Sequence, residues 1–163
     1  HIWWSDERFV QADSLERNAF PFHKTVTNTA VVMHEVLASD VAKSIDDAVS
    51  DYALALENVD IDLNILGLGP DGHVASLFPG IADVDDLRTI FAITDSPKPP
   101  AARVSFTMSM INSADEVWIV AAGESKAEAV TKIIEGDLAI PASYVRGNSH
   151  TRLIVDTEAF FSE

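Results

Sequence analysis

Cysteine is absent from the 163 residues, which excludes disulfide frameworks, thiolate metal ligation and cysteine nucleophiles, and leaves the redox compartment unread. Basic residues are scarce: 11 Lys and Arg stand against 26 Asp and Glu, a formal charge of −15. That imbalance repels phosphate backbones and anionic lipid at long range, so neither nucleic acid nor a membrane surface is an expected partner. No apolar run approaches the length of a membrane span. Nothing at the start resembles a signal peptide, although the chain opens on His1 rather than Met, which leaves its natural start open. Repeats, low-complexity tracts and interior linkers are also missing. The five histidines, His1, His23, His34, His73 and His150, show no paired ligand spacing, so no metal is expected. Ser76 lacks the G-x-S-x-G elbow of a serine hydrolase.

What is present suffices for one domain over residues 1–163, since 47% of the residues are hydrophobic. Few cations also mean that an anionic substrate has to be held by a local cluster drawn from them. Ile2 to Trp4 reads as a strand ending in the charged loop Ser5-Asp6-Glu7-Arg8, and "QADSLERNAFPF" as loop. Val41, Ile45, Ala48, Val49, Tyr52 and Leu56 recur at helical spacing after a Ser39-Asp40 cap candidate, which predicts an amphipathic helix ending near Glu57-Asn58. "IDLNILGLG" predicts a central parallel strand buried on both faces. Arg88–Thr94, Glu116–Gly123 and Arg152–Asp156 read as further strands. "ESKAEAVTKIIEG" reads as a helix with Ala127, Val130, Ile133 and Ile134 inward and Gly136 as its stop. Strands alternating with helices point to an α/β domain, a Rossmann-like, mainly parallel sheet flanked by helices.

"NILGLGPDGHVASLFPG" places Gly67, Gly69 and Gly72 at G-x-G-x-x-G spacing after that strand, as a dinucleotide loop does. The helix such a loop must open is missing, because Phe78-Pro79-Gly80 stops the segment after barely two turns. Candidate ribose acids, Asp83, Asp85 and Asp86, fall in a loop-like acidic run, so a nucleotide cofactor is disfavoured. The loop does carry Asp71 and His73 at the C-terminal end of a buried strand, the edge where catalytic groups gather in open α/β sheets. A histidine titrating near neutrality can take a proton from water and return it to a leaving oxygen. Asp71 can orient that imidazole, cap the glycine turn, or do both.

Four cations stand beside turns. Arg8 reads equally as a surface ion pair with Asp6 and Glu7 or as an anion clamp. Lys98 and Arg103 flank the stretch "KPPAAR", which fixes their backbone and lowers the ordering cost of gripping a phosphate; the plainer reading is solvated charge. Lys126 falls in a first helical turn, where a bound anion would relieve its conflict with the helix dipole; simple solvation is the alternative. Trp3 and Trp4 read as core, and His34 as part of a strand or helix face.

Four blocks in order, "WWSDERFV", "LGLGPDGHVASLFPG", "SPKPPAARVSFT" and "GESKAEAV", resemble the 6-phosphogluconolactonases within the glucosamine-6-phosphate deaminase-like fold. The resemblance runs over nearly the whole chain. It implies a cytoplasmic enzyme opening a sugar-phosphate lactone without metal or nucleotide. His73 would be the general base activating water, with Asp71 supporting it and Arg8 near the substrate. Lys98 and Arg103 match phosphate-contacting positions, Lys126 assists, and Gly67, Gly69 and Gly72 shape the sugar-phosphate loop. The resemblance begins late in the family pattern, without the N-terminal portion that carries a Gly-Gly-Ser/Thr-type phosphate loop. An inactive fragment or binding module is therefore a competing expectation, with strand edges covered by that missing portion or by self-association. Glucosamine-6-phosphate deaminases share the G-x-G-x-D/E-G-H block but continue with an Asn-Glu-Pro element. Here Leu77-Phe78-Pro79 follows, and phenylalanine carries no proton for that chemistry.

Overall fold

Described over residues 1–160, the computed structural model orders the chain as β1 (Ile2–Trp3), β2 (Asp6–Arg8), α1 (Phe22–Thr25), β3 (Met33–His34), α2 (Ile45–Ala55), β4 (Leu63–Gly67), β5 (Ile90–Ile93), β6 (Arg103–Phe106), α3 (Met108–Asn112), β7 (Glu116–Ala121), α4 (Ala127–Glu135), β8 (His150–Val155) and α5 (Thr157–Phe160). The class is α/β, as expected. Two compact units result, one from His1–Val59 with Thr89–Phe106, the other from Asp60–Arg88 with the chain from Thr107 onward.

The first unit holds the parallel pair β1–β3 and the antiparallel order β2-β6-β5. Among the described residues three of the five strand pairings are parallel, in keeping with the mainly parallel expectation, and the two within β2-β6-β5 are antiparallel. For β5 and β6 the cause is local: the proline segment between Ile93 and Arg103 returns the chain directly, and a direct return pairs strands antiparallel. Asp6–Arg8, expected as loop, is a strand of this sheet. Helix α2 starts at Ile45, later than the Ser39-Asp40 cap predicts. Ser44 Oγ accepts from Asp47 N at 3.1 Å, and Asp46 and Asp47 complement the dipole in the first turn. Asp40 instead accepts from Ala12 N at 3.0 Å, and Val41 is exposed. The helix ends at Ala55, short of the expected Glu57-Asn58, and Asn58 turns left-handed with φ 61°.

Tyr52 fastens α2 to the short parallel pair. Its hydroxyl accepts from Trp4 N at 2.8 Å and lies 3.2 Å from His34 O and 3.3 Å from Trp4 O, one of which takes its proton. Burial pushes the phenol pKa up. Trp4 is core, as expected, and Trp3 stacks on His34 at 3.9 Å between ring centroids. Tyr52→Phe strands the Trp4 N–H, so a loss of about 1–3 kcal/mol is expected, read as a lower Tm in thermal unfolding. An unchanged Tm would show that solvent satisfies this N–H.

The second unit holds the parallel order β4-β7-β8, with Leu63–Gly67 in register with Glu116–Val120 and Glu116–Ala121 with His150–Val155. Asn64 and Leu66 of β4 point into the core, but the alternate face is open, with Ile65 58% exposed. The strand is therefore buried on one face rather than the expected two, and Val120 and Ile154 continue the exposed apolar side. In the region read as one helix from Glu124, Glu124–Lys126 forms a 3-10 turn before α4, which stops at Gly136 in the left-handed region, φ 71°. Ala127 and Val130 face inward as predicted, whereas Ile134 is exposed. Among the described residues no helix is long and apolar enough to cross a membrane.

Candidate active site

The loop that leaves β4 folds back on itself within five residues. Gly69 N donates to His73 O at 2.9 Å and Gly72 N donates to Gly69 O at 2.9 Å. Gly72 sits at φ +82°, and a Cβ there would lie 2.5 Å from Ile140 Cβ, so this glycine is required both by its backbone and by its neighbour. Gly69 is required by space alone, since its Cβ would meet the His73 ring and the Asp71 carboxylate. Gly67 has open space around it.

This closed turn brings Asp71 and His73 together. His73 Nδ1 stands 2.5 Å from Asp71 Oδ1. An ionised carboxylate can only accept, so the contact places the ring proton on Nδ1 and leaves Nε2 with its lone pair. The Phe78 ring lies 4.7 Å from the imidazole, tilted by 37°, and restricts its rotation from one side. The His73 side chain is 18% exposed and that of Asp71 38% exposed, so the imidazole is sheltered but open to water. A histidine oriented by a carboxylate, with its ring proton held on Nδ1, has at Nε2 the acceptor nitrogen that a general base uses. Sequence reading had no signal for Phe78 or Ile140 as supports of this loop.

Lys126, in the same unit, caps α4 and donates its backbone N–H to Gly123 O at 3.0 Å. Lys126 is half-buried and forms no ion pair among the described residues. Asp156 fixes the preceding turn by accepting from Gly123 N at 3.0 and 3.1 Å and from Ala159 N at 2.8 Å. These donors hold its carboxyl below the usual range.

Arg8, Lys98 and Arg103 belong to the first unit. Arg8 and Arg103 are register partners across β2 and β6, so two guanidinium-bearing side chains start from directly opposed positions. Arg103 is only 4% exposed. Its Nε donates to Pro100 O at 3.1 Å, and its terminal nitrogen donates to Lys98 O at 3.1 Å and Pro99 O at 3.2 Å. Asp6 lies 3.8 Å away. Burial and the neighbouring Arg8 pull the Arg103 pKa down while Asp6 raises it, and burial dominates. Arg103 thus ties down the loop that carries Lys98, whose carbonyl also accepts from Ser96 Oγ at 3.0 Å. Arg103→Lys loses the fork that reaches three carbonyls, and a drop of about 1–3 kcal/mol with faster proteolytic cleavage of this loop is expected. Unchanged Tm and cleavage would mean the loop holds itself.

Arg8 is not paired with Asp6 or Glu7, as its surface reading supposed. It donates to Glu16 O at 2.5 Å, while Glu7, 1% exposed, turns into the unit. Among the described residues no group of three or more His, Asp or Glu side chains could hold a metal ion.

The sequence pattern of the family described as "Glucosamine-6-phosphate isomerases/6-phosphogluconolactonase" matches residues 1–155. The chain belongs to this family. A 6-phosphogluconolactonase of Streptomyces coelicolor is 35% identical over 179 aligned positions, covering 97% of this chain and 68% of the relative. That of Rattus norvegicus is 40% identical over 156, covering 89% of this chain and 60% of the relative. Among solved structures, the 6-phosphogluconolactonase of Thermotoga maritima superposes with a TM-score of 0.78 at 29% identity, covering 93% of this chain and 70% of that one. The chain therefore spans some three fifths to seven tenths of the length of these family members.

Proposed function

We propose that this chain hydrolyses 6-phosphoglucono-δ-lactone to 6-phosphogluconate, with His73 as general base. The observation that carries the reading is the Asp71–His73 contact, which leaves Nε2 as the proton acceptor on a glycine-shaped loop. Membership of the family supports the substrate class.

A lactone is already an activated ester, so it needs neither a serine nucleophile nor a metal. His73 Nε2 takes a proton from water as the water oxygen bonds to the lactone carbonyl carbon. The tetrahedral adduct collapses with cleavage of the bond between that carbon and the ring oxygen. The imidazolium returns its proton to the departing oxygen, which becomes a hydroxyl, and Asp71 stabilises the imidazolium in the interval. The new carboxylic acid ionises at neutral pH and releases one proton per turnover.

Arg8, Lys98, Arg103 and Lys126 are proposed as contacts of the substrate and its phosphate, on the family pattern. For Arg103, the bonds to Lys98, Pro99 and Pro100 carbonyls favour a part in shaping the Lys98 loop. A cytoplasmic setting and independence of metal belong to the same proposal and rest on the resemblance.

The test is acid release from freshly generated lactone in a pH-stat, against buffer alone, because this lactone also opens unaided. Acceleration over buffer is the expected result. Ammonia release from glucosamine 6-phosphate without lactonase activity would replace this reading with the deaminase one.

A further inference from the structure

Strand β2 pairs with β6 on one side only among the described residues, and its other side is closed by an unusual device. Phe106 N donates to Ser5 O at 2.7 Å and Phe9 N to Ala102 O at 3.0 Å. In an antiparallel ladder this alternation turns the N–H and C=O of Asp6 and Arg8 away from β6. Asp6 O and Arg8 N are met by loop 16–19 and a single buried carboxylate, while Arg8 O accepts from Val10 N at 3.0 Å. Asn18 Nδ2 donates to Asp6 O at 2.8 Å. Glu7 Oε1 accepts from Arg8 N at 2.8 Å and Asn18 N at 2.6 Å, and Oε2 accepts from Ala19 N at 3.0 Å. Arg17, also buried, stands 3.8 Å from Oε2 and donates to Val36 O at 2.8 Å.

The same loop receives the Arg8 guanidinium on Glu16 O. Arg8 Nε is buried and meets no acceptor among the described residues, and no carboxylate pairs with the side chain there. A guanidinium opposed to Arg103, without a counter-ion and with an unspent buried donor, is costly to keep, and an anion would satisfy it.

We propose that Glu7 is a positioning residue for Arg8: its carboxylate binds the Arg8 backbone and loop 16–19 together, and so aims the guanidinium at an anionic substrate group. This rests on the reading of Arg8 as a substrate contact. Burial raises the Glu7 pKa against the pull of its three N–H donors, so the carboxylate is retained at a cost.

Two measurements on the full chain test it. In lactone hydrolysis, Glu7→Gln is expected to lose roughly tenfold to hundredfold in kcat/KM, mostly through KM. Added to Arg8→Ala, it should cost little more, because Glu7 acts through Arg8. In NMR, the Arg8 Nε–H resonance, assigned by its absence in Arg8→Ala, should exchange slowly in the native chain and roughly tenfold faster in Glu7→Gln, by the difference between closed and open local states. Asn18→Ala, which loosens the loop from β2 and leaves Glu7 in place, should show the same two effects more weakly and covers the case in which Glu7→Gln does not fold. Wild-type kcat/KM and unchanged Nε–H exchange in these variants overturn the inference, as does a loss that multiplies fully with that of Arg8→Ala. If the native chain shows no lactonase activity, the functional reading falls, and the exchange measurement still decides whether Glu7 holds Arg8.

Discussion

Replacing His73 by alanine is expected to lower the catalysed rate of lactone opening by roughly 10²–10⁴, the usual contribution of a general base. The loss should fall on kcat, since the imidazole acts on water in the transition state rather than on the resting substrate. Stability should change little, because the ring is partly solvated and its main apolar neighbour, Phe78, is itself buried by the core of its unit. Two further variants separate chemistry from packing. Asp71→Asn keeps the size of the side chain but lets its amide donate to Nδ1, which moves the ring proton to Nε2 and removes the base. A loss approaching that of His73→Ala is therefore expected. Free imidazole added to His73→Ala should restore part of the rate, whereas it should do nothing for Asp71→Asn. Full activity in His73→Ala, measured against buffer alone, would remove His73 from the mechanism and leave the family assignment intact.

The dyad was legible because everything that makes it is contiguous. Asp71, Gly72 and His73 lie within a few residues of a strand end, and the glycines announce the tight return. The stop of α4 was legible for the same reason, Gly136 being a local signal realised at φ 71°. What escaped notice depends on partners distant in the chain. "DER" reads as a charged loop, and only pairing of β2 with β6 reveals that Glu7 and Arg8 point to opposite faces. Arg103 spends its donors on backbone carbonyls, which carry no residue identity and leave no trace in a sequence. The start of α2 was misplaced because Ser39 and Ser44 are equally good caps by type. Only Ser44 precedes two acids in the first turn, while Asp40 is engaged by Ala12 N. The apolar run of β4 fits a strand buried on one face or two, and periodicity has no means of deciding whether Ile65 is covered.

Gly69→Ala should disable the dyad without touching either of its members. The φ of Gly69 lies outside the left-handed range, so alanine meets no backbone objection there. The obstacle is what the new methyl would strike: His73 Nδ1 and Cε1, both far inside van der Waals contact, and Asp71 Oδ1 at 2.6 Å. Real Cβ atoms do not approach so closely, and the atoms that can yield are the two side chains of the dyad. The imidazole must swing away from Asp71, which ends the 2.5 Å contact that assigns its tautomer. A fall in kcat of roughly a hundredfold is expected, the cost of misplacing a catalytic group by about an ångström. Gly72→Ala differs in kind, because its Cβ strikes Ile140 in the packed interior and its φ of +82° strains any side chain. There a stability loss of about 1–3 kcal/mol is expected along with the activity. Comparing Tm and kcat for the pair separates the two roles: Gly69→Ala should lose rate and keep Tm, and Gly72→Ala should lose both. Wild-type kcat in Gly69→Ala would mean that the loop accommodates the methyl by moving its backbone, and that the closeness of Gly69 to the ring is incidental to catalysis.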